Sequence, residues 1–247
     1  MKADVVVDIG NSRIKWGRVV AERISAVVVF ESENAETWFE QATKWQLDET
    51  TNWVIASVQP VATEAFVEWL GTGVGSVTVL DSHSQIPLPV DVESPESVGL
   101  DRLLSCLAAK NVADSDRPFL VIQAGTALVL NLVDSAGAFA GGAILPGLAL
   151  MAKSLNEHTA LLPEVRLHEP VEPTPGRTTA TAIRSGIFWA SIGAILTLRA
   201  GYDEAETLPI YLTGGDAEVL LPAIPEPVFH VPDLVLEGIR ITAEARP

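Results

Sequence analysis

Asp8 is the first residue whose type and surroundings could do chemistry. It closes the β-branched run Val5-Val6-Val7. Ile9-Gly10-Asn11-Ser12-Arg13 follows it, and Ile14-Lys15-Trp16-Gly17 then alternates apolar and polar residues. Val, Ile and Trp suit a pleated strand, and Gly10 and Asn11 can take the positive φ of a tight hairpin turn. The pattern predicts a carboxylate at the end of a buried strand, beside a loop whose backbone N–H groups point outward. Such a loop can cradle a phosphate. The device recurs 115 positions on (8 to 123), where Phe119-Leu120-Val121-Ile122-Gln123-Ala124-Gly125-Thr126-Ala127-Leu128 is again strand, polar residue, glycine turn and strand. Either copy alone reads as a surface hairpin, since short glycine motifs often arise by chance. Two in matching context point to a duplicated fold with a nucleotide held between its halves.

Gly99-Leu100-Asp101-Arg102 adds an acid and a base near the start of an apolar helical pattern. Ser94-Pro95 reads as the cap and first position of that helix, which then runs to Ala109. A glycine inside a helix costs about 1 kcal/mol relative to alanine, so Gly99 implies the close approach of another group. Asp101 and Arg102 leave a helix in different directions and are not simply an ion pair. By spacing alone they are a solvated pair on its surface. Thr179 stands near the N-terminus of a long apolar helix, and Gly214-Gly215-Asp216 leads from a strand towards a helix N-terminus, a position friendly to anions. The four histidines, His83, His158, His168 and His230, show no metal-ligand spacing. Cys106 lies within an apolar helical pattern and reads as core.

The elements that must position these residues follow in order. Strands are predicted over Ile14–Val20 and Ile24–Phe30, then a helix over Ala35–Trp45 with Trp38, Phe39, Ala42 and Trp45 on one apolar stripe. A strand at Trp53–Val58, a helix at Thr63–Leu70 and a strand at Ser76–Leu80 complete a βββαβαβ half with helices flanking a mixed sheet. Asp81–Ser97, with three prolines, reads as a surface loop and a candidate lid or substrate rim. The second half opens at Phe119. Its strands run to Gln123 and over Ala127–Val133, and a glycine-bracketed strand ends at Pro146-Gly147. A helix from Leu148, an extended connector at Pro163–Pro175 and a helix over Thr178–Ala200 come next. A strand at Ile210–Thr213, another at Val228–Val231 and a helix from Asp233 close the chain.

At 247 residues the chain has room for two ordinary domains, divided here as 1–115 and 116–247. A hydrophobic fraction of 48% and a mean hydropathy of +0.29 allow a sizeable core, with some apolar surface left for an oligomer interface. Five lysines and eleven arginines against 32 acids give a net charge of −16, which argues against a nucleic-acid binder. No apolar run reaches the ~18–20 residues of a membrane span, and the first residues lack a signal-peptide pattern. A single cysteine leaves no disulfide framework, which fits the cytosol.

Taken together, these strings resemble those of the type III pantothenate kinases, within the acetate kinase/sugar kinase/Hsp70/actin superfamily. Asp8-Ile9-Gly10-Asn11-Ser12 through Lys15 resembles the first phosphate motif. Gly99-Leu100-Asp101-Arg102 fits the Gly-x-Asp-Arg signature, and Gly125-Thr126-Ala127 resembles the second phosphate motif. Gly141 to Gly147, Gly176-Arg177-Thr178-Thr179, Ser185-Gly186 and Leu212 to Asp216 follow in family order. The resemblance implies a duplicated ribonuclease-H-like (actin-like ATPase) α/β fold, with two mixed sheets flanked by helices. It implies a cytoplasmic homodimer that uses ATP and Mg²⁺ to phosphorylate pantothenate on the way to coenzyme A, with no nucleic acid or membrane involved.

Residue by residue, the resemblance gives Asp8 the Mg²⁺. It gives phosphate to Gly10, Asn11, Ser12, Gly125 and Thr126, with Lys15 helping. Asp101 becomes the general base and Arg102 the grip on the pantothenate carboxylate. Gly99 and Leu100 complete the substrate site, and Thr179 hydrogen-bonds the substrate from a partner subunit or the far wall. Three positions depart from the pattern. Gln123 stands where the family has an aspartate that binds K⁺ or NH₄⁺, and Val92 and Ser94 replace an aromatic residue and an amide near pantothenate. These departures imply a weakened cation requirement, and they leave open another alcohol as acceptor or an impaired or regulatory homologue.

Overall fold

The computed structural model describes residues 2–31, 34–113, 117–202 and 208–246. The chain divides into two compact units, one made of Met1–Ala113 with Leu234–Pro247, the other of Asp114–Asp233. The 115/116 boundary read from the sequence falls among residues 114–116, outside those described. The last helix joins the first unit, not the second, in which its place in the chain had put it.

The first unit runs β1 (Val5–Ile9), β2 (Ile14–Val20), β3 (Arg23–Phe30), α1 (Ala35–Trp45), β4 (Asn52–Ser57), α2 (Pro60–Leu70), β5 (Ser76–Leu80) and α3 (Leu100–Val112). Its sheet has the order β3-β2-β1-β4-β5, with β1 antiparallel to β2 and parallel to β4, and β4 parallel to β5. The C-terminal ends of β1, β4 and β5 therefore share one edge. One face of the sheet is filled by aromatic rings. Trp16 lies 4.7 Å from Phe30, 5.0 Å from Trp53 and 5.5 Å from Trp69, with Trp38 and Phe66 buried beside them. Aromatic pairs of this kind add about 0.5–1.5 kcal/mol each beyond their area. Phe39 departs from the predicted stripe: it is 47% exposed, in a T-shaped contact with Trp69.

Two helix starts differ from the sequence reading by more than one residue. α2 begins at Pro60, three residues early, because Gln59 caps it through Ala62 N and proline suits a first turn. α3 begins late. Pro95–Ser97 forms a short 3-10 turn, Val98 is extended, and Gly99 is the N-cap of α3 and not an interior residue. The segment between β5 and α3 is pinned by the buried Ile86 and Leu88.

The second unit runs β6 (Phe119–Ala124), β7 (Ala127–Val133), β8 (Phe139–Pro146), α4 (Leu148–Glu157), α5 (Thr179–Tyr202), β9 (Ile210–Thr213), α6 (Ala217–Leu220) and β10 (Val228–His230). Its sheet order is β10-β9-β6-β7-β8, the same plan of an antiparallel meander joined to parallel strands. Leu120, Ile122, Leu128 and Leu130 pack with Ile187, Phe188, Ile192 and Ile195 of α5. Contrary to the sequence reading, α5 is long and apolar enough to cross a membrane by length and composition. Its buried stripe in the core of this unit is what a core helix requires.

The closing helix, α7 (Leu234–Ala245), buries Leu234, Leu236, Ile239 and Ala243 and packs against α3, β1, β2 and β4 of the first unit. That apolar stripe is the physical reason it groups there.

Candidate active site

β1 carries Asp8 to one residue short of its end, and the hairpin register sets Lys15 directly across from it on β2. The turn is wider than the positive-φ turn predicted. Ile9 pairs with Ile14, so residues 10–13 form a four-residue loop closed by Gly10 N–H donating to Arg13 O at 3.0 Å. Neither Gly10 nor Asn11 adopts positive φ. Loops of this length are built on right-handed turns and need no left-handed residue. The end of β1 is tied to the end of β4 by Val58 N–H and the Ser57 hydroxyl, which donate to Ile9 O at 3.1 and 3.3 Å.

Asp101 lies in the first turn of α3. Its Oδ1 accepts the Arg102 N–H at 2.9 Å, satisfying one donor of the helix start. A Cβ on Gly99 would stand 2.6 Å from that same oxygen, so the glycine makes room for the folded-back carboxylate. Burial pushes the Asp101 carboxyl above the ordinary carboxylate range, while the Arg102 N–H and the Arg102 charge pull it partly back. Cys106, one turn deeper, is fully buried and its thiol is pushed up strongly by the same burial, so it is inert core.

The lead-in to α3 sits on the edge where the parallel strands end. An open groove of ≈ 950 Å³ is bounded there by Ser57 at the end of β4 and Gln59 beyond it, Leu80 at the end of β5 and Asp81 beyond it, and Gly99 and Leu100. Strand direction puts Asp8, near the C-terminal end of β1, at that same edge, while neither Asp8 nor Asp101 lines the groove itself.

In the second unit, β6 and β7 meet in the Gly125-Thr126 turn, closed by Gly125 N–H to Ala127 O at 3.0 Å. Two distant glycine motifs converge on it. Gly147 N–H donates to Thr126 O at 3.0 Å, and a Cβ on Gly147 would collide with Gly125 O. Asp216 N–H donates to Ala124 O at 3.0 Å, and Gly214, at φ +104°, leaves no space for a Cβ against Ala124. The sequence marked these glycines but not their common task, which is to hold one turn by backbone contact. Gln123 precedes the turn, and its Oε1 accepts a hydrogen bond at 3.1 Å from Nδ2 of the fully buried Asn131 on β7. Asn131 drew no notice in the sequence, where a lone Asn in a strand carries no signal.

Thr179 opens α5 and is exposed. Thr178 and Thr181 cap that helix reciprocally, each backbone N–H meeting the other's hydroxyl at 3.0 and 3.2 Å. Among the described residues no group of three or more His, Cys, Asp or Glu could hold a metal ion.

Comparison with known proteins shows the family. The family model described as type III pantothenate kinase matches residues 5–200. A type III pantothenate kinase of Synechococcus sp. (strain JA-3-3Ab) is 34% identical over 94% of this chain and 88% of the relative. One from Thiobacillus denitrificans is 34% identical over 98% and 96%. Among solved structures, a protein described as a Baf family transcriptional activator from Campylobacter jejuni superposes with a TM-score of 0.65 at 17% identity, covering 97% of each chain. The activator of the 2-hydroxyisocaproyl-CoA dehydratase from Clostridium difficile superposes at 0.51 and 12% identity, covering 99% and 96%. These structures establish the actin-like ATPase fold, two mixed sheets flanked by helices. With the family model spanning both glycine turns and Asp101, the chain belongs to the type III pantothenate kinase family.

Proposed function

We propose that this protein phosphorylates the hydroxyl of pantothenate with ATP, giving 4′-phosphopantothenate, the first step towards coenzyme A. The observation that carries the reading is the carboxylate of Asp101, half-buried at the start of α3 and held by the Arg102 N–H, in a chain of this family. Phosphoryl transfer asks the protein for positioning and charge more than for covalent chemistry. In this reading Asp101 takes the hydroxyl proton as general base. The freed oxygen bonds to the γ-phosphorus while the bond to the β–γ bridging oxygen breaks, and ADP leaves. Arg102 grips the pantothenate carboxylate with its planar fork. Thr179 hydrogen-bonds the substrate.

Gly10, Asn11 and Ser12, with Lys15, hold phosphate at the first turn, and Gly125 and Thr126 do so at the second. Mg²⁺ suits Asp8, because that ion is commonly held by one or two carboxylates plus substrate phosphates and needs no cage of three acids. The ion would neutralise phosphate charge. Gln123 offers K⁺ or NH₄⁺ only a neutral oxygen, already accepting from Asn131. The protein works in the cytoplasm, without nucleic acid or membrane.

A homodimer is supported by α5. Ala182, Gly186, Ala190, Gly193, Thr197 and Gly201 form an exposed face of small residues along it. A Cβ at Gly186, Gly193 or Gly201 would meet nothing within 4 Å. Each glycine costs about 1 kcal/mol of helix stability, and the close approach of a second copy by two-fold symmetry gives that cost a use.

The test is an ADP-release assay on pantothenate with Mg²⁺, with and without K⁺. Turnover at an ordinary enzymatic rate supports the reading. ADP release on a different alcohol in a substrate panel, and none on pantothenate, would favour the second reading that Val92 and Ser94 motivate. Silence on every alcohol would leave a regulatory homologue.

A further inference from the structure

α7 comes from the far end of the chain yet lies against α3, which bears Asp101, and against β1, which bears Asp8. The contact with α3 is made backbone to backbone. Gly238 is buried in the middle of α7. A Cβ there would lie 2.6 Å from Leu104 C and 2.8 Å from Leu104 Cα, and closer still to Leu104 O. These are backbone atoms of a helix, which cannot swing aside as a side chain can. On its other side α7 is seated on the sheet by Leu236, fully buried, whose Cδ1 would lie 3.4 Å from a Cβ on Gly17 of β2.

An interior glycine is otherwise a cost of about 1 kcal/mol to a helix. Here it lets α3 settle onto α7 at the point where Leu104 stands, three residues from Asp101. A helix rises about 1.5 Å per residue and moves as a rod, so a push at Leu104 is carried to Asp101. Proximity effects make a displacement of roughly 1 Å worth about a hundredfold in rate.

We propose that Gly238 is a positioning residue, setting through the Leu104 backbone the depth at which α3 presents Asp101. The proposal rests on the reading of Asp101 as general base. Its test uses the full chain carrying Gly238→Ala, with kcat on ATP and pantothenate measured beside the affinity and stoichiometry of a fluorescent ATP analogue. The expected result is a kcat at least about tenfold lower, the misplacement being smaller than the full hundredfold case, with affinity and stoichiometry retained. A merely structural defect would lower stoichiometry and kcat together, and that result overturns the proposal, as does an unchanged kcat. Where Gly238→Ala is recovered only as aggregate, Leu236→Ala carries the test, since it loosens the seat of α7 without a clash. It should lower kcat with nucleotide binding kept, and equal falls in both, or none, overturn the proposal. Asp101→Asn run in parallel separates the two ideas: wild-type turnover in that variant defeats the reading of the base itself, whatever Gly238→Ala does.

Discussion

The Oδ1 of Asp101 occupies the space that a side chain on Gly99 would need, 2.6 Å from where its Cβ would be. That relationship gives the Gly-x-Asp spacing a physical meaning. The carboxylate turns back onto its own helix start, accepts the Arg102 N–H and stays partly withdrawn from water.

Asp101→Asn should lower kcat by about 10²–10⁴, the usual worth of a positioned general base. It should also make the protein more stable at pH 7. Burial raises the Asp101 pKa on folding, so the folded state holds the proton more tightly than the unfolded one. Stability then falls as pH rises from the unfolded carboxylate value through the folded one. Asparagine carries no charge to bury. Thermal melts at pH 7 should show a higher Tm for the variant, and the gap should close below the ordinary carboxylate range.

Arg102→Lys should raise KM for pantothenate by about tenfold or more while sparing KM for ATP, because an ammonium cannot replace the two parallel bonds of a guanidinium to a carboxylate. Steady-state kinetics with each substrate varied in turn would check it, and equal effects on both would place Arg102 elsewhere.

Gly147→Ala and Gly214→Ala should each displace the Gly125-Thr126 turn, since both glycines touch its backbone. A shift of roughly 1 Å would reduce kcat/KM for ATP by about a hundredfold. Matching losses in two variants 67 positions apart in sequence (147 to 214) would show that they serve one turn.

K⁺ and NH₄⁺ should change the wild-type rate little, because the oxygen of Gln123 is neutral and engaged by Asn131. Gln123→Asp restores a carboxylate and should make the rate rise with K⁺ over an equal concentration of a large organic cation. A steep K⁺ response in the wild type would contradict the account.

Gly193→Leu should weaken self-association by about 1–3 kcal/mol, the cost of forcing bulk into a packed contact. Light scattering coupled to size exclusion would detect monomer in the variant at concentrations where the wild type is dimeric. The wild type as a monomer throughout would remove the role given to the small face of α5.

Most strands and helices could be read from local pattern. The βββαβαβ order, β2, α1 and β5 follow from alternation and from apolar stripes, which act over a few residues. The second copy of the strand-turn-strand unit was visible for the same reason. Local rules compete at two of the places that were misread. Ser94-Pro95 looks like a helix start, but Val98 stays extended and Gly99 caps α3. Gly10-Asn11 looks like a left-handed turn, but a four-residue loop removes the need for one.

By itself the sequence determined which chemistry-bearing residues exist and in what order: an acid at a strand end, two glycine turns, and an acid-arginine pair at a helix start. Tertiary structure decided which of them lean on one another. It placed α7 against α3, brought Gly147 and Gly214 onto one turn, and set Asn131 against Gln123. The reason is range. Propensity and periodicity are written in neighbouring residues, whereas the approach of two backbones is set by segments far apart in the chain, and a glycine looks the same whichever partner it will meet.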